Sequence, residues 1–98
     1  MLLKSKIIGQ GPNPLIILHG FLGMSDNWNS YAKKMSSLGF QIHLLDQRNH
    51  GNSFHSNDFS YTFLAQDLKF YIDFHKIKNF SLIGHSMGGK TAMMFSSL

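Results

Sequence analysis

The sequence predicts an α/β fold with a largely parallel sheet. Short apolar runs of strand length alternate with stretches in which apolar residues recur at helical spacing. One of the runs, Leu15-Ile16-Ile17-Leu18, is apolar throughout, which is typical of a strand buried on both faces of a parallel sheet. The chain has 98 residues, of which 43% are hydrophobic and 14% charged, and this suits one unit with a modest core. Strands separated by helices need crossover connections, which make neighbouring strands parallel.

The predicted strands are apolar runs next to turn-forming residues. Four segments fit this description: Leu2 to Ile8, Leu15 to Leu18, Phe40 to Leu45 and Phe80 to Ile83. The segment from Gly9 to Pro14 forces a turn between the first two strands, and the second strand ends at His19-Gly20.

Three helices are predicted between and after these strands. The first covers Trp28 to Leu38, with Asp26 or Asn27 as its N-cap and Gly39 at the left-handed position that ends it. The second begins at Ser60 or Thr62. One side of that helix carries Leu64, Leu68, Tyr71, Ile72 and His75. The third begins at Met87 and continues to Leu98 without a stop signal.

A candidate nucleophile lies in Gly84-His85-Ser86-Met87-Gly88, which has the pattern G-x-S-x-G between a predicted strand and a predicted helix. A sharp strand-to-helix turn strains its central residue, so the two glycines leave room while Ser86 projects above the sheet. The N-terminus of a helix stabilises the negative charge that develops on the substrate oxygen during acyl transfer. We expect the Met87 amide to be one oxyanion donor. The Phe21 amide, in the loop after the second strand, is the expected second donor.

Three blocks of the sequence resemble the α/β-hydrolase superfamily: Leu18 to Phe21, Asp46 to Ser53, and Gly84 to Lys90. The Asp-x-Arg-Asn-His-Gly form of the middle block is most similar to small esterases and acyl thioesterases. The resemblance implies that Ser86 is the nucleophile and that the amides of Phe21 and Met87 form the oxyanion hole. It also implies an ester or thioester substrate, a mainly structural loop after Asp46, and no cofactor.

The same resemblance predicts that residues 1–98 are the N-terminal portion of a single α/β-hydrolase domain, carrying strands 1 to 5 of its sheet. Members of the superfamily are roughly two to three times longer and place the catalytic acid and histidine after later strands. We therefore expect the isolated chain to be inactive and poorly folded, with the strand before Ser86 at a sheet edge. Among the histidines present, only His50 and His55 are local candidates for a general base, and we do not favour them.

Two other functions remain as alternatives. Gly84 to Thr91 also fits the phosphate-binding pattern G-x-x-x-x-G-K-[ST], in which Lys90 would reach a phosphate and Thr91 would hold Mg²⁺. The start of the helix separates these hypotheses, since the nucleophile turn predicts a start near Met87 and the phosphate loop one near Lys90. The second alternative is a non-catalytic binding protein with the same fold.

Composition argues against several other classes of protein. The net charge of +4 arises from scattered lysines and arginines, so we expect neither nucleic-acid nor membrane binding. No apolar run approaches the ~20 residues of a membrane span, and no signal peptide is recognisable, so we expect a cytoplasmic protein. With no cysteine, and no carboxylate at ligand spacing around His43, His50 and His55, we expect no metal site. The oligomeric state is open.

Two further expectations concern side chains near the middle block. Arg48 is expected to pair with Asp46 and with backbone carbonyls, and so to hold its loop rather than bind substrate. A group of aromatic residues could either line an acyl pocket or belong to the core. These residues are Phe54, Phe59, Tyr61 and Phe63.

Overall fold

A sheet with helices on both faces forms the frame of the molecule. The computed structural model describes residues 1–20 and 28–97. The elements are β1 (Ser5–Ile8), β2 (Asn13–Leu18), α1 (Asn29–Ser36), β3 (Phe40–Leu45), α2 (Tyr61–His75), β4 (Ser81–Gly84) and α3 (Met87–Phe95). The alternation of strands and helices confirms the α/β class.

The strand order is β1-β3-β2-β4. Strand β2 pairs in parallel with both β3 and β4, while β1 is antiparallel to β3. Leu18 pairs with Leu45 on one side and Gly84 on the other, so the parallel strands end at one edge of the sheet. The described residues thus contribute four strands of the expected five. Strand β4 is the outermost strand on its side of this sheet, as predicted.

The central strands are buried on both faces, as the apolar run in β2 predicts. Ile16 and Leu18 belong to a core with residues of α2, whereas Leu15 and Ile17 belong to a second core with Ala32 of α1. Alternate residues of a strand point to opposite faces, so β2 supplies both cores. This double burial holds β2 firmly in place between β3 and β4.

Several predicted boundaries shift. Strand β2 begins at Asn13 rather than Leu15, and helix α3 ends at Phe95 rather than continuing to Leu98. Strand β1 begins at Ser5 rather than Leu2, because the Lys4 amide donates to Ser53 Oγ instead of a strand partner. Strand β4 covers Ser81–Gly84, one residue later than predicted. Strand β3 has the predicted bounds.

The helix ends agree only in part with the capping residues that the sequence predicts. Helix α2 begins after Ser60, whose Oγ accepts a hydrogen bond from the Phe63 amide at 3.2 Å, so the first of the two predicted caps is correct. Helix α1 ends at Ser36, two residues before Leu38, and Gly39 has the predicted left-handed conformation at φ +90°. Trp28 occupies the N-cap position of α1 and its side chain makes no capping hydrogen bond, so the predicted cap position is wrong. Asp26 and Asn27 themselves lie outside the described residues.

The predicted apolar side of α2 is buried along most of its length. Leu64, Leu68, Tyr71 and Ile72 are buried, but His75, in the last turn, is exposed. The His75 ring instead lies against the Tyr71 ring, with their centroids 4.3 Å apart.

Candidate functional site

Ser86 lies in a strained turn between β4 and α3. Its backbone has φ +56° and ψ −110°, and the residue is exposed. Such a conformation costs a non-glycine residue about 1–3 kcal/mol and persists only where the surrounding structure enforces it. The turn presents the Ser86 side chain at the edge where β2, β3 and β4 end.

Two glycines allow this turn to pack closely. A Cβ on Gly84 would lie 2.6 Å from the Gly89 nitrogen, and a Cβ on Gly88 would lie 2.7 Å from the His19 carbonyl oxygen. Real Cβ atoms do not approach backbone atoms so closely. The two glycines therefore have the steric role that the G-x-S-x-G pattern predicts.

The first turn of α3 is tied to β2 and to the residues around Ser86. The His85 amide donates to the Leu18 carbonyl at 3.0 Å, and the Gly88 amide donates to the His85 carbonyl at 2.9 Å. Met87 is the first residue of α3, so its amide is one of those without an acceptor inside the helix. An amide at this place can donate to a negative charge beside Ser86. Phe21 lies outside the described residues, and its role as the second donor stays a prediction.

The start of the loop after β2 lies beside the serine. A Cβ on Gly20 would be 3.5 Å from Ser86 Cβ and 3.0 Å from His85 Nδ1. His19 is buried just before it, where Nε2 accepts the Gln47 amide at 2.9 Å and Nδ1 lies 2.7 Å from the Gly20 carbonyl oxygen. Nδ1 therefore carries the proton and donates it. Burial lowers the pKa of His19, which keeps the ring neutral.

The other predicted candidates for a general base are His50 and His55. His50 is buried, with Nδ1 2.9 Å from the Arg48 carbonyl oxygen and its ring 5.0 Å from that of His19. His55 is exposed. Within residues 1–20 and 28–97, no imidazole forms a hydrogen bond with Ser86 Oγ.

Arg48 holds the loop after β3, but its carboxylate partner is not the expected one. Its Nε and Nη2 donate to the two carboxylate oxygens of Asp67 at 2.7 and 2.9 Å, and Nη1 donates to the Asp58 carbonyl at 2.6 Å. The predicted pairing with Asp46 is wrong. Asp46 instead accepts the Asn52 amide at 3.1 Å, within its own loop. Arg48 thus fastens the loop to α2, and the hydrogen bonds to Asp67 raise its pKa.

The aromatic residues of this region divide between core and surface. Phe54 packs against the core, and its ring centroid lies 5.2 Å from the Arg48 guanidinium carbon. Phe59 and Phe63 are exposed to 41% and 38%. Tyr61 lines an open depression of about 400 Å³ together with Lys90, Met93, Met94 and Ser97.

The family model described as alpha/beta hydrolase fold matches residues 13–98. The chain belongs to the α/β-hydrolase family. Curated relatives of this α/β-hydrolase chain include proteins with named activities. It is 43% identical over 83 residues to the mouse sn-1-specific diacylglycerol lipase ABHD11, covering 84% of this chain and 27% of that protein. It is 37% identical over 96 residues to ethanol acetyltransferase 1 of Hanseniaspora uvarum, covering 93% and 29%.

A solved structure agrees with the fold. A marine microorganism esterase superposes with a TM-score of 0.94 at 47% identity, covering 98% of this chain and 36% of that one. The chain spans 26–30% of the length of the first curated relatives.

The phosphate-loop alternative does not fit this α/β-hydrolase site. Helix α3 begins at Met87, not near Lys90. The Thr91 hydroxyl is fully buried, 2.9 Å from Gln47 Oε1, where it is not open to a hydrated Mg²⁺. Lys90 Nζ lies 5.7 Å from the Tyr61 ring centroid. Among the residues that the structure describes, no cluster of three or more His, Asp or Glu side chains could hold a metal.

Sequence reasoning missed the polar residues beneath the site. Gln47 and Thr91 are fully buried and bonded to each other, and Asp67 is a buried partner on α2. Gln47 stands in a polar block after β3, where it reads as a loop residue, and Asp67 is 19 residues from Arg48. Neither pairing has a signal at short range in the sequence.

The described helices include none long and apolar enough to cross a bilayer.

Proposed function

We propose that the protein is a serine hydrolase that cleaves carboxylic esters or thioesters through an acyl-enzyme on Ser86. The observation that carries this proposal is the strained and exposed Ser86 at the N-terminus of α3. Backbone strain of this kind is maintained at functional sites, and no packing role explains it at an exposed residue. The names of an esterase, a lipase and an acetyltransferase among the similar proteins support the same chemistry.

In the proposed reaction, Ser86 Oγ bonds to the acyl carbon while its proton passes to a histidine. The carbonyl oxygen becomes negative and accepts hydrogen bonds from the Met87 amide and, as the sequence predicts, the Phe21 amide. The tetrahedral intermediate then collapses, the bond to the alcohol or thiol breaks, and the histidine returns the proton to that leaving group. Water repeats these steps on the acyl-enzyme and releases the acid.

We propose that the histidine and its acid partner come from residues beyond 98 in the complete protein. The single lone pair of the neutral His19 ring is already used by the Gln47 amide, and no imidazole within residues 1–20 and 28–97 is hydrogen-bonded to Ser86 Oγ. Without a general base, turnover at such a serine falls by about 10⁶-fold. We therefore expect the isolated 98-residue chain to be inactive.

The test is Ser86→Ala in the complete protein, compared with Ser81→Ala as the matched control. Ser81 is also exposed and lies in the same strand-to-helix unit, at the start of β4. We expect Ser86→Ala to abolish hydrolysis of short-chain nitrophenyl esters and acyl thioesters without changing the melting temperature, and Ser81→Ala to leave both unchanged. Full turnover in Ser86→Ala would refute the proposal, and no turnover in the unaltered protein would favour a binding protein.

The same assay separates hydrolysis from acyl transfer. Similarity to an ethanol acetyltransferase is the specific reason to consider transfer to an alcohol. With ethanol added, a hydrolase that excludes it releases only the acid, whereas an acyl transferase forms the ethyl ester as a growing share of the product. Measuring both products by gas chromatography decides between the two.

A further inference from the structure

A buried side-chain network lies directly beneath the proposed site and connects its two halves. It consists of His19 at the end of β2, Gln47 after β3 and Thr91 in the second turn of α3. All three are at most 1% exposed. They come from three segments that meet at the edge of the sheet where Ser86 lies.

Gln47 makes three hydrogen bonds within this network. Its side-chain Nε2 donates to the His19 carbonyl at 3.1 Å, and its backbone amide donates to His19 Nε2 at 2.9 Å. Its Oε1 accepts from the Thr91 hydroxyl at 2.9 Å. The side chain thus joins the end of β2 to α3 through one amide group, whose donor and acceptor are both used.

Each residue bonded to the Gln47 side chain also contacts a backbone carbonyl next to the proposed oxyanion hole. Thr91 Oγ1 is also 3.1 Å from the Met87 carbonyl oxygen, so the hydroxyl contacts the residue whose amide is the first donor. At the other end, His19 Nδ1 donates to the Gly20 carbonyl. This bond holds the Gly20 carbonyl, beside Ser86, in a fixed direction.

We infer that Gln47 is a positioning residue for the oxyanion hole, acting through His19 at one end and Thr91 at the other. It sets the position of the first turn of α3, and hence of the Met87 amide, relative to His19 and Gly20 at the end of β2. This inference rests on the proposed function. Gln47 touches neither substrate nor the reacting atoms.

The decisive variants are Gln47→Met and Thr91→Val in the complete protein. Methionine has nearly the length of glutamine but lacks its amide, and valine keeps the shape of threonine without the hydroxyl. Thr91→Ser restores the hydroxyl. Gln66→Met and Thr62→Val, at exposed positions of α2, are the matched controls.

Turnover should be expressed per active serine, titrated with a fluorophosphonate, because this correction removes the effect of unfolded protein. Gln47→Met and Thr91→Val should displace an oxyanion donor. Because misplacement of a catalytic group by ~1 Å lowers the rate, we expect kcat per titrated site to fall about 10- to 100-fold in both variants. The KM should change less than about twofold, because a positioned donor acts on the transition state and not on ground-state binding. We expect Thr91→Ser and both controls to stay within about threefold of the unaltered protein.

The outcomes are distinct. Wild-type kcat per titrated site in both network variants, with only a lower melting temperature or titratable fraction, would show a purely structural role and overturn the inference. If Gln47→Met does not fold, the contrast between Thr91→Val and Thr91→Ser decides. If the unaltered protein has no titratable Ser86, the proposed function itself has failed.

Discussion

Gly88→Ala tests whether the close contact of α3 with β2 is needed to form the site. The added Cβ would lie 2.6 Å from the Leu18 carbonyl carbon and 2.7 Å from the His19 carbonyl oxygen, and closer still to the Leu18 oxygen. These are backbone atoms of a strand buried on both faces, so they cannot turn aside as a flexible side chain would. The first turn of α3 must move outward, by roughly 1 Å to restore normal contact.

The displacement should affect both stability and catalysis. Overpacking of this kind costs about 1–3 kcal/mol of unfolding free energy. A shift of about 1 Å in the Met87 amide should lower turnover roughly 100-fold. Urea unfolding and ester hydrolysis by the complete protein measure the two effects.

Gly89→Ala is the matched control in the same turn of the same helix. A Cβ at Gly89 would be 3.4 Å from the Gly84 carbonyl oxygen, which is ordinary contact. Alanine also favours a helix over glycine by about 0.5–1 kcal/mol. We expect Gly89→Ala to be at least as stable as the unaltered protein and to keep its activity. Equal behaviour of Gly88→Ala and Gly89→Ala in both assays would refute the reasoning from close packing.

Three further predictions concern stability. Arg48→Leu leaves the buried Asp67 carboxylate without its partner and should lower the unfolding free energy by about 3–5 kcal/mol, measured by urea unfolding. Burial lowers the pKa of both His19 and His43 from 6.5 in the folded protein. The unfolded chain therefore binds more protons below about pH 6.5, so urea unfolding over a pH series should show full stability above that value and a decline below it. Ser60→Ala removes the cap of α2 and should cost about 1 kcal/mol in the same unfolding assay.

Two exposed positions provide the controls for these variants. Lys69 and Asp73 form an ion pair with 58% and 62% of their side chains exposed, so Lys69→Ala should cost less than about 0.5 kcal/mol. Thr62, in the first turn of α2, is exposed, and no side-chain hydrogen bond of the described residues involves it, so Thr62→Ala should cost nothing. A loss in Arg48→Leu no larger than in Lys69→Ala would contradict the buried-pair interpretation, and a pH-independent unfolding free energy between pH 5 and 7.5 would contradict the neutral buried histidines.

The fold was readable from sequence because its signals are local. The apolar run of β2 needs burial on both faces, and the structure places α1 on one face and α2 on the other. The position of Ser86 could likewise be predicted, since two glycines and a following helix occur within five residues. Spacing along the chain carries the information in both cases.

The supporting contacts could not be read in this way because they join distant segments. Arg48 pairs with Asp67 rather than the nearby Asp46 because α2 brings that carboxylate into a two-point contact with the guanidinium. The bond between Gln47 and Thr91 spans 44 residues and exists only because β3 and α3 end and begin at the same edge. Local sequence cannot rank partners that only the tertiary fold brings together.

The most direct test of the central claim is to map fluorophosphonate labelling of the complete native protein by peptide mass spectrometry. An activated serine reacts with this probe, whereas ordinary serines do not. We predict one adduct per molecule, located on Ser86 and lost in Ser86→Ala. An unlabelled protein, or an adduct on another serine with Ser86 unmodified, would contradict the assignment of Ser86 as the nucleophile.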